Sequence, residues 1–307
     1  MSRLLELPFE LRALIIEHVL YSQASPPVTP PLHTDAVEFN DLNYRAWGNN
    51  PSAYYTQQST TDIVNSLPLL LTNRQLAIET RSILESRKPD YILDISVQDE
   101  VNLFLTWLSV PYLTTRIATL HANVRLFGPI ISQRAVSCQL GDGGRLGFHW
   151  TFYAALERFL RYGPVGEKKH SGKGEDESSR YSGQDVEEFK DRGIIIDTLV
   201  LDFQSAEPEL SFPPHDATYR TWWFRHLGRD RFVRSELSEA MSCYTPRPEW
   251  QCQYVRGWIS SLLNCHRTYG KPLYDRIGSI RMLVDGQPHY EFDIADMAAS
   301  QDSTNSS

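Results

Sequence analysis

The chain has 307 residues, 30 Lys+Arg against 38 Asp+Glu, a formal net charge of -8 and 4 Cys. At 41% hydrophobic and 22% charged residues it has a globular composition, neither collagen-like nor disordered throughout. The acidic balance speaks against whole-surface attraction to nucleic acid or anionic membrane, and irregularly spaced cysteines at 138, 243, 252 and 265 speak against a secreted disulfide scaffold, so an intracellular protein is expected.

Glu6, Pro8, Glu10, Arg12 and Glu17 interrupt the apolar N-terminus, so it does not read as the continuous core of a signal peptide. Residues 4 to 20 read instead as a helix. Pro8 suits the first turn, and Glu10 suits the positive end of the helix dipole. Leu11, Leu14, Ile15 and Val19 fall on one apolar face. From 22 to 65 the chain turns rich in Pro, Asn, Ser and Thr, which predicts a long irregular insertion. The following apolar run, residues 67 to 71, is far shorter than the roughly 20 residues that cross a bilayer. A second helix is predicted over 66–86, with Leu69, Leu76 and Ile83 on one stripe and the first helix as its nearest partner.

Beyond the Lys88-Pro89 break, apolar residues at 91, 93, 95 and 97 have strand period. Val101, Phe104, Leu105 and Leu108 have the spacing of a helix that stops at Pro111. Leu120, Ala122, Val124 and Leu126 then alternate with His121, Asn123 and Arg125, which predicts a strand with one buried and one polar face. An aromatic helix spans 150–162, and 163–193 reads as a disordered loop because its Gly, Ser, Lys and Glu cannot bury enough surface to offset ordering entropy. Ile194 to Phe203 is an interior strand, one or two helices are expected within 217–242, and 250–269 is a further helix. A hairpin about Asp285-Gly286 ends the fold.

The chain carries no convincing constellation for catalysis. The loop 141–147 fails both the dinucleotide and the Walker spacing, and Cys243, Cys252, Cys265 and His266 lack the paired spacing of a zinc site. No cofactor, metal or enzymatic role is expected. Trp222, Trp223, Arg225 and Arg229 lie in a stretch of interleaved arginines and aromatics, residues 219 to 234. Such a mixture serves single-stranded nucleic acid binding or a protein contact; in an acidic chain the protein contact is favoured, with these four residues as its candidate surface.

The pair LELPFELRALIIEHVL and LPLLLTNRQLAIETRSILES resembles the fungal F-box-like family in its Leu7, Pro8, Glu10, Leu11, Arg12 and Ile15, and in its Thr72, Arg74, Gln75 and Glu79. The resemblance covers about the first third of the chain. It implies docking on the Skp-type adaptor of a cullin-RING (SCF-type) ubiquitin ligase, with the rest of the chain taking a protein substrate not yet known. Carried over by position, Leu7, Pro8, Leu11 and Ile15 are the adaptor contacts, and Arg74 helps to close the helical module. A ligase-independent binding scaffold and, less favoured, an RNA-associated protein are the alternatives. The expected fold is mixed α/β. Residues 1–88 form the helical module, 89–296 an interaction domain with a mainly parallel sheet, leucine-rich-repeat-like or ordinary, and 297–307 a disordered tail.

Overall fold

The computed structural model describes residues 3–29, 34, 36–38, 53–56, 63–98, 102–127, 148–164, 191–206, 217–220, 247–264 and 270–297. A 3-10 helix, Arg3–Glu6, precedes α1 (Phe9–Leu20). Two short strands, β1 (Ala36–Glu38) and β2 (Ala53–Thr56), lead to α2 (Ser66–Thr72) and α3 (Arg74–Ser86). Then come β3 (Asp90–Gln98), β4 (Asn102–Ser109), β5 (Arg116–Phe127), α4 (Phe148–Tyr162) and β6 (Ile195–Ser205). The last elements are α5 (Pro248–Asn264), α6 (Lys271–Arg276), β7 (Ile277–Val284) and β8 (Gln287–Asp293).

The eight strands form one mixed sheet in the order β1-β2-β4-β3-β5-β6-β7-β8. The pairs β2/β4, β3/β5, β5/β6 and β6/β7 are parallel, and β1/β2, β3/β4 and β7/β8 are antiparallel. Strand period sets the core face. Tyr91, Leu93, Ile95 and Val97 of β3 stand beside Leu120, Ala122, Val124 and Leu126 of β5, and that row continues through Leu199, Leu201 and Phe203 into Ile280 and Met282. The helices α4, α5 and α6 pack on this side and share one buried cluster with it. Tyr91 anchors the cluster: it is fully buried, its ring meets Trp107 and Phe159 edge-on, and its hydroxyl donates to the Tyr112 carbonyl. At the β6/β7 pair a Cβ on Gly278 would lie 2.6 Å from the Asp197 carbonyl oxygen, so only glycine lets the two backbones approach there.

Four expectations change. The segment expected as a helix at Phe104, Leu105 and Leu108 is β4, buried along nearly all its length because helices cover one face and Tyr54, stacked on Phe104 at 5.2 Å, covers part of the other. A strand buried on both faces has no alternation to separate it from a helix. The helix expected over 66–86 is two helices, because the Asn73 side chain accepts from the Gln75 N–H at 2.7 Å and starts α3 afresh. The insertion 22–65 is not wholly irregular, since β1 and β2 extend the sheet from within it.

Arg125 is the fourth. It lies on the sheet face away from the helices, as the alternation requires, yet it is buried and not solvated. Its guanidinium meets Asp94 at 2.6 and 2.8 Å, donates to Ser96 Oγ at 3.2 Å and reaches the Pro27 carbonyl at 2.8 Å. The chain that leaves α1 crosses this face, tied also by Ala24 N–H to Leu108 O at 2.8 Å, and covers the ion pair. Residues 165–190, most of the loop expected to be disordered, and 298–307 of the tail lie outside the described residues.

Candidate functional site

Helix α1 is apolar around most of its circumference, so hydrophobicity alone does not choose its inner face. Arg12, Ile16 and Leu20 turn inward, where Ile16 and Leu20 pack with Leu76 and Ile83 of α3 in a small cluster separate from the main core. Leu11, Leu14, Ile15 and Val19, the stripe expected to define the helix's apolar face, point outward, with Leu14 62% exposed and Leu11 48%. Phe9 on α1 and Leu67 and Leu71 on α2 are exposed as well. A surface so rich in large apolar side chains on one small module is what a protein contact requires and what a solvated helix avoids.

An ion pair selects the inner face. Arg12 donates to Glu79 at 2.6 and 3.0 Å and to the Leu7 carbonyl, and Gln75 Nε2 donates to Glu79 Oε1 at 3.1 Å. With Arg12 directed at α3, Ile16 and Leu20 follow one and two turns later, and Leu11 and Ile15 are left outside. The hydrogen bonds from Arg12 hold the Glu79 carboxyl below its ordinary value of 4.5. Arg74 does not close the module as the resemblance implied: it sits exposed at the first turn of α3, and Arg12 with Glu79 makes the closure.

The other carried-over positions stay accessible. Pro8 is the exposed N-cap of α1, Leu7 is half-buried, and Leu11 and Ile15 are exposed. The module is fixed to the sheet by Asn65, which sequence reasoning passed over as the end of an insertion. Its side-chain amide donates to the Leu20 and Ser22 carbonyls at 2.8 and 3.0 Å, while its backbone N–H donates to Val110 O at 3.0 Å. Within the module, Arg87 ties the C-terminal ends of α3 and α1 together, with its guanidinium 4.3 Å from the Tyr21 ring centre. Trp222, Trp223, Arg225 and Arg229 lie outside the described residues.

Among the described residues no group of three His, Cys, Asp or Glu is placed to hold a metal ion, and no helix is long and apolar enough to cross a membrane. Cys252 is buried, and burial pushes its thiol up to about 12, so it is not a thiolate nucleophile. His149 lies between α4 and α5, 2.7 Å from the Tyr254 hydroxyl and edge-on to Trp258, and burial lowers it to about 4.

Both lowered groups make the fold acid-sensitive. Below pH 6.5 the unfolded chain protonates His149 and the folded chain does not, so stability falls as pH drops from 6.5 to about 4, by at most roughly 1.4 kcal/mol per unit. The Glu79 contribution is present above 4.5 and is lost as pH falls through its lowered value. Urea midpoints measured against pH are expected to show both windows, with His149→Gln flattening the upper one alone and Glu79→Gln the lower one alone.

Comparison with protein-family models, with curated proteins and with solved structures finds no match to this chain, so its functional reading rests on its own residues and their geometry.

Proposed function

We propose that the chain is a non-enzymatic, intracellular F-box-like interaction protein: its N-terminal module docks on the Skp-type adaptor of a cullin-RING ubiquitin ligase, and its α/β domain takes a protein substrate. One observation carries the reading. The α1 face that holds Leu11 and Ile15 is exposed while the face that holds Ile16 and Leu20 packs on α3. A helix whose only apolar face served its own fold would have nothing left to offer a partner. Here the two tasks fall on two faces, and Leu7 and Pro8 extend the outer one toward the start of the helix.

The test is co-purification of the full chain with the adaptor. Wild type and Arg74→Ala are expected to retain the adaptor. Leu11→Asp, at a position outside the module's core, is expected to weaken binding by at least about a hundredfold, as loss of a central apolar anchor does. A folded wild-type chain that retains no adaptor sinks the reading, as does Leu11→Asp binding as wild type does.

A further inference from the structure

The sheet ends on one side in β8. Residues 287 to 291 of that strand are exposed, whereas β5 and β6 inside the sheet are largely buried. Its outer row of N–H and C=O groups has no strand partner among the described residues. The edge is also pre-formed. Asp285 (φ 47) and Gly286 (φ 75) make the two-residue turn that joins β7 to β8, with both residues in the left-handed region such turns need. The Asp285 carboxylate accepts from the Ser205 N–H at 2.9 Å, and Asp202 accepts from the Gly286 N–H at 3.0 Å. Those bonds staple the hairpin to β6, so pairing at β8 requires little ordering of the edge itself.

The two sides of the edge differ in chemistry. Toward the helices, Tyr290 and Phe292 meet at 4.7 Å, and the Arg256 guanidinium lies 3.9 Å from the Tyr290 ring centre. Tyr290 is 37% exposed, which leaves an aromatic shelf beside the strand. On the other side stand Glu291 and Asp293; Arg281, 2.9 Å from Glu291, is the paired cation there, and Asp293 Oδ1 accepts from the Asp296 backbone N–H at 3.0 Å. This side therefore keeps an acidic balance at the position where a neighbouring strand would place alternate side chains.

We propose that β8 is the docking edge for an extended segment of a partner protein with Lys or Arg at alternate positions and apolar residues between them, added as a ninth strand. Backbone hydrogen bonds supply affinity; the basic residues face Glu291 and Asp293, and the apolar ones lie on the Tyr290 shelf. A second copy of this chain does not fit, because antiparallel self-pairing brings the two acidic rows together and like charges across a strand pair are destabilising. Pro288 has no N–H to offer, and the pairing with β7 shifts register between Met282 and Leu283, so docking is confined to residues 289 to 293. This contact is independent of adaptor docking at α1.

The experiment uses the full chain and a fluorescein-labelled peptide of alternating Lys and Val, read by fluorescence anisotropy. Two further peptides carry N-methyl groups on alternate amides, one on the Lys positions and one on the Val positions. Strand addition uses the amides along one edge of a peptide only, so one methylated peptide is expected to bind at least about tenfold more weakly and the other like the parent. A peptide of alternating Glu and Val is expected to bind at least about tenfold more weakly than the Lys peptide, and raised salt to narrow that gap. The double variant Glu291→Lys/Asp293→Lys is expected to reverse the preference. Leu11→Asp is expected to bind the Lys peptide as wild type does, which separates failure here from failure of the adaptor reading. No saturable binding of the Lys peptide below about 1 mM, equal behaviour of the two methylated peptides, or equal binding of the Lys and Glu peptides would each overturn the proposal.

Discussion

Asp94→Ala is expected to cost the fold about 3–5 kcal/mol in urea unfolding. Asp94 is fully buried, and the variant leaves the Arg125 guanidinium inside the protein with Ser96 Oγ and the Pro27 carbonyl but no carboxylate. The penalty comes from the unpaired buried charge more than from the lost attraction. The double variant Asp94→Leu/Arg125→Met should therefore recover most of the stability, because two apolar side chains need no desolvated partner. A loss below about 1 kcal/mol in Asp94→Ala would mean that water reaches the guanidinium and that the chain crossing at Pro27 does not seal this face. The double variant has a second consequence: with Arg125 gone, residues 22–29 keep the Ala24 to Leu108 bond but lose the tie at Pro27. Faster amide exchange in that segment is expected even where global stability is restored.

Ile16→Asp is expected to unfold the helical module, with a loss of about 4 kcal/mol or more, whereas Leu11→Asp should stay within about 1 kcal/mol of wild type. The two residues are five positions apart on one helix. Ile16 is 1% exposed between α1 and α3, and Leu11 is 48% exposed on the outside. A carboxylate at 16 enters a small cluster of Leu20, Leu76 and Ile83, and Arg12, one turn away on the same face of α1, is already committed to Glu79. A carboxylate at 11 enters water. Near-equal losses in the two variants would mean that α1 docks through a different face. The pair also guards the adaptor test, since lost adaptor binding in Leu11→Asp counts only if that chain remains folded.

Where the chain alternates cleanly, the elements were legible. Tyr91 to Val97, Leu120 to Leu126 and the Asp285-Gly286 hairpin became β3, β5 and β7/β8, because a period of two with one apolar row has a single way to pack. The partnership of α1 with the second helical region was legible too: Leu69, Leu76 and Ile83 recur at two-turn spacing and needed a cover. β4 was not legible, since a strand apolar on both faces carries no period to separate it from a helix. The break at Asn73 was visible in principle, as an Asn placed to cap a helix, but the apolar residues on both sides suggested continuity.

The exposed face of α1 separates what the sequence specifies from what the fold decides. Helical spacing put Leu11, Leu14, Ile15 and Val19 on one apolar face of α1, and Arg12 and Glu79 in the two helical segments. Which face turned inward was decided only when those segments met, because the Arg12–Glu79 contact joins residues 67 positions apart and fixes the rotation of α1 about its axis. The same holds for Arg125. Alternation assigned it to the polar side of β5, but burial there depends on Asp94 from another strand and on a crossing segment 98 positions away. Local patterns specify period and type of element; rotation and burial are set by charge partners that only the folded chain brings within hydrogen-bonding distance.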